Sequence, residues 1–346
     1  MTTRRTAGRG LALLAGAAAA IATVVLPARP AAADAPRPTD YRSEVLRVSP
    51  KLPPGMTVEV VGGDAFLELH VPRGHTAVVD DYAAANETEP APYLRFQADG
   101  TVQRNRNAVA TAANESRFGT TDETPDPDAE PDWETVATDG TYAWHDHRIH
   151  WMSPTRPRAV NPDGRVDLGG RGGTWLVPLT VDGTPTGIIG QLVLEDPPSP
   201  LPWALLALIV GAGAVAAGLR LGIRVSAAGA TVIASAAVGV SWATWSAAPA
   251  GSGASWLPVA VPVVAVFAAV LAAWGPDRAR LAAVAAAAAA LVGWGLVRGT
   301  VLLRAELPTT LPFWIDRAVT ASALGAGAGL AVLLVWKPPV RSSPTA

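Results

Sequence analysis

Three of the five histidines of this 346-residue chain lie close together, within the stretch 144–152. Neutral imidazole is the commonest side-chain ligand of transition metals, because one ring nitrogen keeps its lone pair at neutral pH. His145 and His147 are two residues apart, so on an extended strand both point to the same face. Two imidazoles placed in this way can grip one Cu(II) or Zn(II) ion while a third ligand comes from elsewhere.

The third ligand has several possible sources. Strand alternation places His150 on the opposite face, so it joins the pair only if a turn or bulge re-aims it. His70 or His75 could reach the pair through cross-strand packing. Met152 carries a thioether that suits an axial position on copper. The predicted metal ligands are therefore His145, His147, His150, His70 and Met152, with Cu(II) expected ahead of Zn(II).

A structural interpretation of the same stretch competes with metal binding. Asp146 can pair with Arg148, and the imidazoles can belong to an ordinary polar network or stay solvated. Catalysis is a third alternative. It would require a nucleophile or a second carboxylate fixed nearby, and the sequence designates neither, so we expect no enzymatic activity.

The predicted domains of the chain differ sharply in composition. Residues 1–34 have three early arginines, an apolar run and Ala31-Ala32-Ala33, which together predict a cleaved signal peptide; Arg4-Arg5 leaves export by the twin-arginine route as an alternative. Residues 35–200 are acidic and polar, whereas residues 201–336 are apolar and basic. This division argues against nucleic acid as a partner. The chain has no cysteine, so an exported domain must be held by its core rather than by disulfides.

Residues 35–200 read as an extracytoplasmic β-sandwich. Short alternating runs are separated by Asp-Gly and Gly-Gly turns, which is typical of successive antiparallel strands. The pattern predicts hairpins at 57–71, 93–103 and 174–194, and a central hairpin that joins 133–136 to a long strand over 141–152. The acidic segment 112–132 reads as a solvated loop; it lacks the spacing of a known calcium site, although calcium remains an alternative. No helix is expected here.

Residues 201–336 contain five apolar runs long enough to cross a bilayer. The runs are Leu201–Leu219, Ser226–Ser246, Trp256–Trp274, Leu281–Leu303 and Ala318–Trp336. Arg220, Arg278 and Lys337 lie at span ends that all fall on the same side of the membrane. By the positive-inside rule this side is the cytoplasm, so residues 337–346 are predicted to be a cytoplasmic tail. Arg298 is the one ionisable residue inside a predicted span, where we expect it to snorkel outward. With no carboxylate expected in any span, the helices read as an anchor or platform rather than a transporter.

The stretch Asp139-Gly140-Thr141-Tyr142, followed by Trp144, resembles the tyrosine corner of immunoglobulin-like sandwiches. It is also similar to the Gly-Thr-Tyr strand start of bacterial copper-resistance domains of the CopC type. The copper-ligating histidine that this family places at the mature N-terminus, and its Asp-Gly-His, have no counterpart here, so the resemblance implies the fold more than copper binding. The layout as a whole resembles multi-pass membrane proteins of high-GC bacteria.

The sequence therefore predicts an Ig-like β-sandwich ectodomain on an all-α transmembrane domain of five helices, in a bacterial plasma membrane. Its expected function is that of an extracytoplasmic binding module that holds copper or zinc through the histidines. The alternative is a metal-free scaffold that recruits another envelope protein or a wall polymer. The lipid bilayer is the expected partner in both cases.

Overall fold

The computed structural model describes residues 35–82, 91–114, 117–118, 129–158, 160–250 and 252–335. The predicted signal peptide, most of the acidic segment and the predicted cytoplasmic tail lie outside these residues. The described chain folds into a β-rich N-terminal region followed by five long apolar helices. The predicted antiparallel β region and the five predicted helices are confirmed at this level, and the immunoglobulin-like form stays a prediction.

The N-terminal region contains two antiparallel sheets. The strands are β1 (Tyr41–Ser49), β2 (Thr57–Val61), β3 (Phe66–His70), β4 (Ala77–Asp80), β5 (Pro92–Phe96), β6 (Val102–Asn105), β7 (Trp133–Ala137), β8 (Thr141–Trp144), β9 (Arg165–Val166), β10 (Trp175–Val181) and β11 (Thr184–Leu194). The larger sheet has the order β1-β11-β10-β4-β5-β6-β7, with β9 against β11. The smaller sheet has the order β2-β3-β8.

Both sheets contribute side chains to one hydrophobic core. On β3, Leu67 and Leu69 are fully buried while Glu68 and His70 between them are only partly buried, as the alternation predicts. The larger sheet supplies the opposite wall of this core through Val79, Leu94, Phe96, Val177 and Ile188. The predicted hairpins β2–β3, β5–β6 and β10–β11 are confirmed by their pairing.

The predicted central hairpin is wrong, because β7 and β8 belong to different sheets. β7 pairs with β6, whereas β8 pairs with β3. The chain changes sheets at Gly140, whose φ of 76° lies in the left-handed region. The Gly140 N–H donates to the Gly100 carbonyl and its own carbonyl accepts from the Val71 N–H, each at 2.8 Å. These bonds to distant residues replace the local ladder of a hairpin.

Replacing Gly140 by alanine is expected to destabilise the β-rich region by about 2–3 kcal/mol, because the left-handed φ is strained and the added Cβ would collide with the Val71 carbonyl oxygen. Gly183→Ala is the matched control, because Gly183 has a similar φ of 78° but open space around its Cβ. It should cost about 1 kcal/mol. Thermal unfolding followed by near-ultraviolet circular dichroism measures the stability of both variants. Equal losses of stability would contradict the close contact between Gly140 and the Val71 carbonyl.

One short helix that the sequence did not predict supports the site described below. Helix α1 (Val109–Ala113) begins where the Asp81 carboxylate accepts the N–H groups of Val109 and Ala110, at 2.6 and 2.7 Å. These hydrogen bonds satisfy backbone N–H groups at the start of the helix, which have no partner within the helix itself. The helix ends at Asn114, whose side-chain oxygen accepts the Tyr82 hydroxyl at 2.5 Å.

The five long helices differ from the predicted spans mainly in the last two. They are α2 (Leu201–Leu221), α3 (Ile223–Ser246), α4 (Leu257–Trp274), α5 (Asp277–Val297) and α6 (Phe313–Val335). Helix α5 ends before Arg298, and a 3₁₀ turn at Gly299–Leu302 follows it. Helix α6 begins five residues earlier than the predicted span and thereby includes Asp316.

Arg298 does not snorkel, which corrects the expectation from sequence. Its side chain is only 9% exposed and its Nη2 lies 2.6 Å from Oδ2 of Asp316, which is itself buried. The same Nη2 donates to Thr244 Oγ1 at 3.1 Å. The expectation that no span contains a buried carboxylate is therefore also wrong. The pair joins the C-terminal end of α5 to the first turn of α6.

The β region rests on the end of the helical domain where α5 meets α6. Thr39 and Glu306 exchange two backbone hydrogen bonds of 3.0 and 2.8 Å. Asp40 accepts the Ala305 N–H at 3.0 Å and pairs with Arg304. These contacts fix the β-rich region at the helix ends opposite to those that carry Arg224 and Asp277.

Candidate metal site

The histidines lie in a turn rather than on the long strand predicted over 141–152. Strand β8 ends at Trp144, and the backbone then turns, with the Ile149 N–H donating to the Asp146 carbonyl at 3.2 Å. The Asp146 side chain accepts the Arg148 N–H at 3.0 Å and Nε1 of Trp144 at 2.8 Å. An aspartate that bonds the backbone two residues later favours a turn over an extended strand.

An ion pair fixes this turn from inside. Asp146 is fully buried, and Arg148 donates to it through Nε at 2.9 Å and Nη2 at 2.7 Å. Burial alone would raise the pKa of Asp146, but the Arg148 charge and the hydrogen bonds outweigh it and lower that pKa to about 2. Arg148 also donates to the Asp80 carbonyl and lies over the Tyr82 ring. The predicted Asp146–Arg148 pair therefore exists, and it supports the turn rather than taking up the histidines.

The turn brings all three imidazoles together. The ring centroids of His145 and His150 are 4.5 Å apart, and His147 lies 5.4 and 5.3 Å from them. One ligand nitrogen from each ring lies within 4.8 Å of the others. Tetrahedral ligands with metal–nitrogen bonds of 2.0–2.1 Å lie about 3.4 Å apart. A contraction of at most about 1.4 Å between any two of these nitrogens would therefore complete a three-histidine site.

The hydrogen bonds of two of the rings fix which nitrogen keeps a lone pair for a metal. Nδ1 of His145 is 2.6 Å from the Ala65 carbonyl, and Nδ1 of His150 is 3.1 Å from the Trp151 carbonyl. A carbonyl only accepts, so Nδ1 carries the proton in both rings and Nε2 keeps its lone pair. Both Nε2 atoms are buried and have no hydrogen-bond partner among the described residues.

Burial also keeps these two imidazoles neutral. Loss of solvation is the main cause that lowers the pKa of His145 to about 4 and that of His150 to about 2. The neighbouring histidines and Arg117 lower both values further. Both rings therefore have their lone pairs available to a cation at neutral pH.

His147 connects the cluster to solvent. Its ring stacks on Tyr82 with centroids 6.0 Å apart and an interplanar angle of 17°, and its backbone N–H donates to the Tyr82 hydroxyl at 2.8 Å. With His150 it lines an open cleft of about 340 Å³ that also contacts Met152 and Asp167. The cleft gives an ion a route to His147 and His150, the two histidines that line it.

The remaining predicted ligands have different positions. His70 lies at the far end of the β3–β8 pairing, where its Nδ1 is 2.9 Å from Thr141 Oγ1, and it does not belong to the three-histidine group. His75 is outside the group as well, with its Nδ1 2.7 Å from an Asp182 carboxylate oxygen. Met152 is partly exposed in the cleft beside His147 and His150.

Sequence reasoning missed the residues that hold the rings in place. Tyr82 and Ala65 lie more than 60 residues before the histidines, and neither belongs to a recognisable motif. The Asp146-x-Arg148 spacing was the one signal in the sequence for the turn. Comparisons with protein-family models, with curated proteins and with solved structures found no match to this chain.

Proposed function

We propose that the chain is a membrane-anchored binding module whose ectodomain holds one transition-metal ion through His145, His147 and His150. The observation that carries this proposal is the pair of buried Nε2 atoms without hydrogen-bond partners on two of the three clustered imidazoles. A buried polar atom left without a hydrogen bond costs about 1–3 kcal/mol. If the cluster had a purely structural role, both Nε2 atoms would carry this cost. Coordination of a metal ion would remove it.

The donor set favours copper and zinc over other biological cations. Calcium and magnesium prefer oxygen ligands, and the three converging atoms are nitrogens. Copper(II) binds nitrogen sites more tightly than zinc in the usual order of divalent metals, and Met152 lies in the cleft where an axial sulfur could approach. We therefore place Cu(II) first and Zn(II) second. The cleft leaves one coordination position to water or another small ligand.

The proposed location is the plasma membrane of a bacterium, with the ectodomain outside and the C-terminus in the cytoplasm. The five apolar helices support membrane insertion. The orientation is supported by Arg220 in the last turn of α2 and Arg278 in the first turn of α5, at the end of the helices remote from the ectodomain. The predicted signal peptide supports the same direction.

Titration of the full-length protein in detergent with Cu(II) and Zn(II), after treatment with a chelator, tests the metal proposal. We expect one tightly bound ion per chain. The double variant His145→Ala, His147→Ala should weaken binding at least about 100-fold, since loss of a mere outer-sphere partner already costs 10–100-fold.

The matched controls are His70→Ala and His75→Ala, which remove imidazoles outside the cluster and should leave the affinity unchanged. A parent protein that binds no metal would contradict the proposal and leave the recruiting scaffold as the better interpretation. Equal binding by the parent and the double variant would also contradict it.

A further inference from the structure

A cleft of about 540 Å³ lies where the two sheets of the β-rich region end side by side. Strand β7 is the last strand of the larger sheet, and β8 is the last strand of the smaller one. Residues 134–138 and 141–143 of these strands line the cleft, together with Pro249 and Ala250 of the α3–α4 loop. Its volume is within the usual range for ligand sites, and none of the three clustered histidines lines it.

Both edge strands carry backbone groups that their neighbouring strands do not use. In an antiparallel ladder, residues that exchange hydrogen bonds with the partner strand alternate with residues whose N–H and carbonyl point away from it. The Arg106 N–H donates to the Asp132 carbonyl at 2.8 Å, and from this bond the β6–β7 register turns the backbone groups of Thr135 outward. The β3–β8 register turns those of Ala143 outward in the same way. No backbone hydrogen bond joins these outward groups to another described residue, and such edges can accept a further strand.

The lining of the cleft has more negative than positive charge. Its ionisable residues are Glu68, Arg104, Glu134 and Asp139. Arg104 and Glu134 form an ion pair of 2.9 Å and neutralise each other. Neither Glu68 nor Asp139 has an ion pair with a cationic side chain in the part of the chain that the structure describes. Two carboxylates of the cleft therefore remain without a counter-charge.

Glu68 is the carboxylate that would gain most from a cation. It lies directly opposite Glu59 in the β2–β3 ladder, where like charges repel. Burial is the main cause that raises the pKa of Glu68, and the charges of Glu59 and Asp139 raise it further. A cationic side chain placed in the cleft relieves this repulsion.

We propose that an extended peptide segment with basic side chains adds as a strand to the outer edge of β7 and places a lysine or arginine beside Glu68. Main-chain hydrogen bonds to Thr135 supply affinity, as is usual for peptides that bind at a sheet edge. The two carboxylates without counter-charge supply selectivity for positive charge. This surface does not depend on the proposed metal site.

The charge of the cleft argues against two other occupants. Residues 83–90 and 119–128, two internal segments of this chain outside the described residues, contain six acidic residues and no basic one. The cleft would repel both segments. A second copy paired through its own β7 would bring the same carboxylates of two clefts together. A separate basic segment is the occupant that the charges favour.

Fluorescence polarisation with labelled eight-residue peptides tests the proposal on the full-length protein in an uncharged detergent. A peptide of alternating lysine and valine should bind with one peptide per chain, whereas a peptide of alternating glutamate and valine should not. Methylation of the backbone nitrogens of the lysine peptide should abolish binding, because it removes the N–H donors and keeps the charge. The proposal is overturned if the lysine peptide does not bind, or if it binds equally well after methylation.

Variants of the protein test where the peptide lies. Glu68→Lys should weaken binding of the lysine peptide at least about tenfold, because repulsion replaces attraction. Asp163→Lys is the matched control, since it makes the same charge change at an exposed carboxylate outside the cleft lining. Thr135→Pro removes one outward N–H, which an edge strand tolerates, and should also weaken binding about tenfold. Equal binding by Glu68→Lys and Asp163→Lys, or undiminished binding by Thr135→Pro, would overturn the assignment.

Discussion

An Asp146→Ala substitution is expected to lower the free energy of unfolding of the β-rich region by about 3–5 kcal/mol. It removes the partner of Arg148, whose guanidinium is directed inward to Asp146 and the Asp80 carbonyl. A buried charge that loses its partner carries an uncompensated desolvation cost of this size. Denaturant unfolding followed by tryptophan fluorescence measures the loss, with Trp144 as a reporter because its Nε1 bonds the deleted carboxylate.

The same variant should also weaken metal binding, because the turn that gathers the three histidines depends on Asp146. Asp163→Ala is the matched control. Asp163 and Arg165 repeat the Asp-x-Arg spacing and the same hydrogen bonds, but both side chains are exposed. Exposed ion pairs contribute little, so this control should leave stability and metal affinity unchanged. Similar losses in both variants would contradict the role assigned to burial.

An Asp316→Ala substitution should destabilise the helical domain by about 3–5 kcal/mol, because it leaves Arg298 buried at the junction of α5 and α6 without its counter-charge. Replacing both partners, as in Arg298→Met with Asp316→Leu, should restore most of the stability, since two apolar side chains carry no desolvation cost. Thermal unfolding in detergent, followed by far-ultraviolet circular dichroism, distinguishes the single variant from the double variant.

Asp277→Ala is the control for this pair. Asp277 pairs with Arg224 and Arg280 at the opposite end of the helices, and its own side chain is exposed, so its loss should lower the unfolding temperature far less than Asp316→Ala does. If the double variant Arg298→Met, Asp316→Leu is no more stable than Asp316→Ala, then Arg298 and Asp316 stabilise the helical domain by more than neutralising each other's charge.

Several features followed from the sequence because their signals are local. Apolar runs about 20 residues long predicted five helices, and alternation with Gly-containing turns predicted the hairpins β2–β3, β5–β6 and β10–β11. The clustering of histidines predicted where a metal could bind, and the structure brings together three of the five predicted ligands, His145, His147 and His150.

Only the tertiary structure decided how those histidines converge. The alternation of side chains along an extended strand predicted that His150 and His145 lie on opposite faces. The chain is not extended there, because it turns at the buried ion pair of Asp146 and Arg148. The rings are then held by Ala65 and Tyr82, which are remote in sequence. The sheet change at Gly140 and the pairing of Arg298 with Asp316 were likewise missed. Periodicity reports which face a residue takes within one element, but burial and pairing depend on the neighbours that distant segments supply.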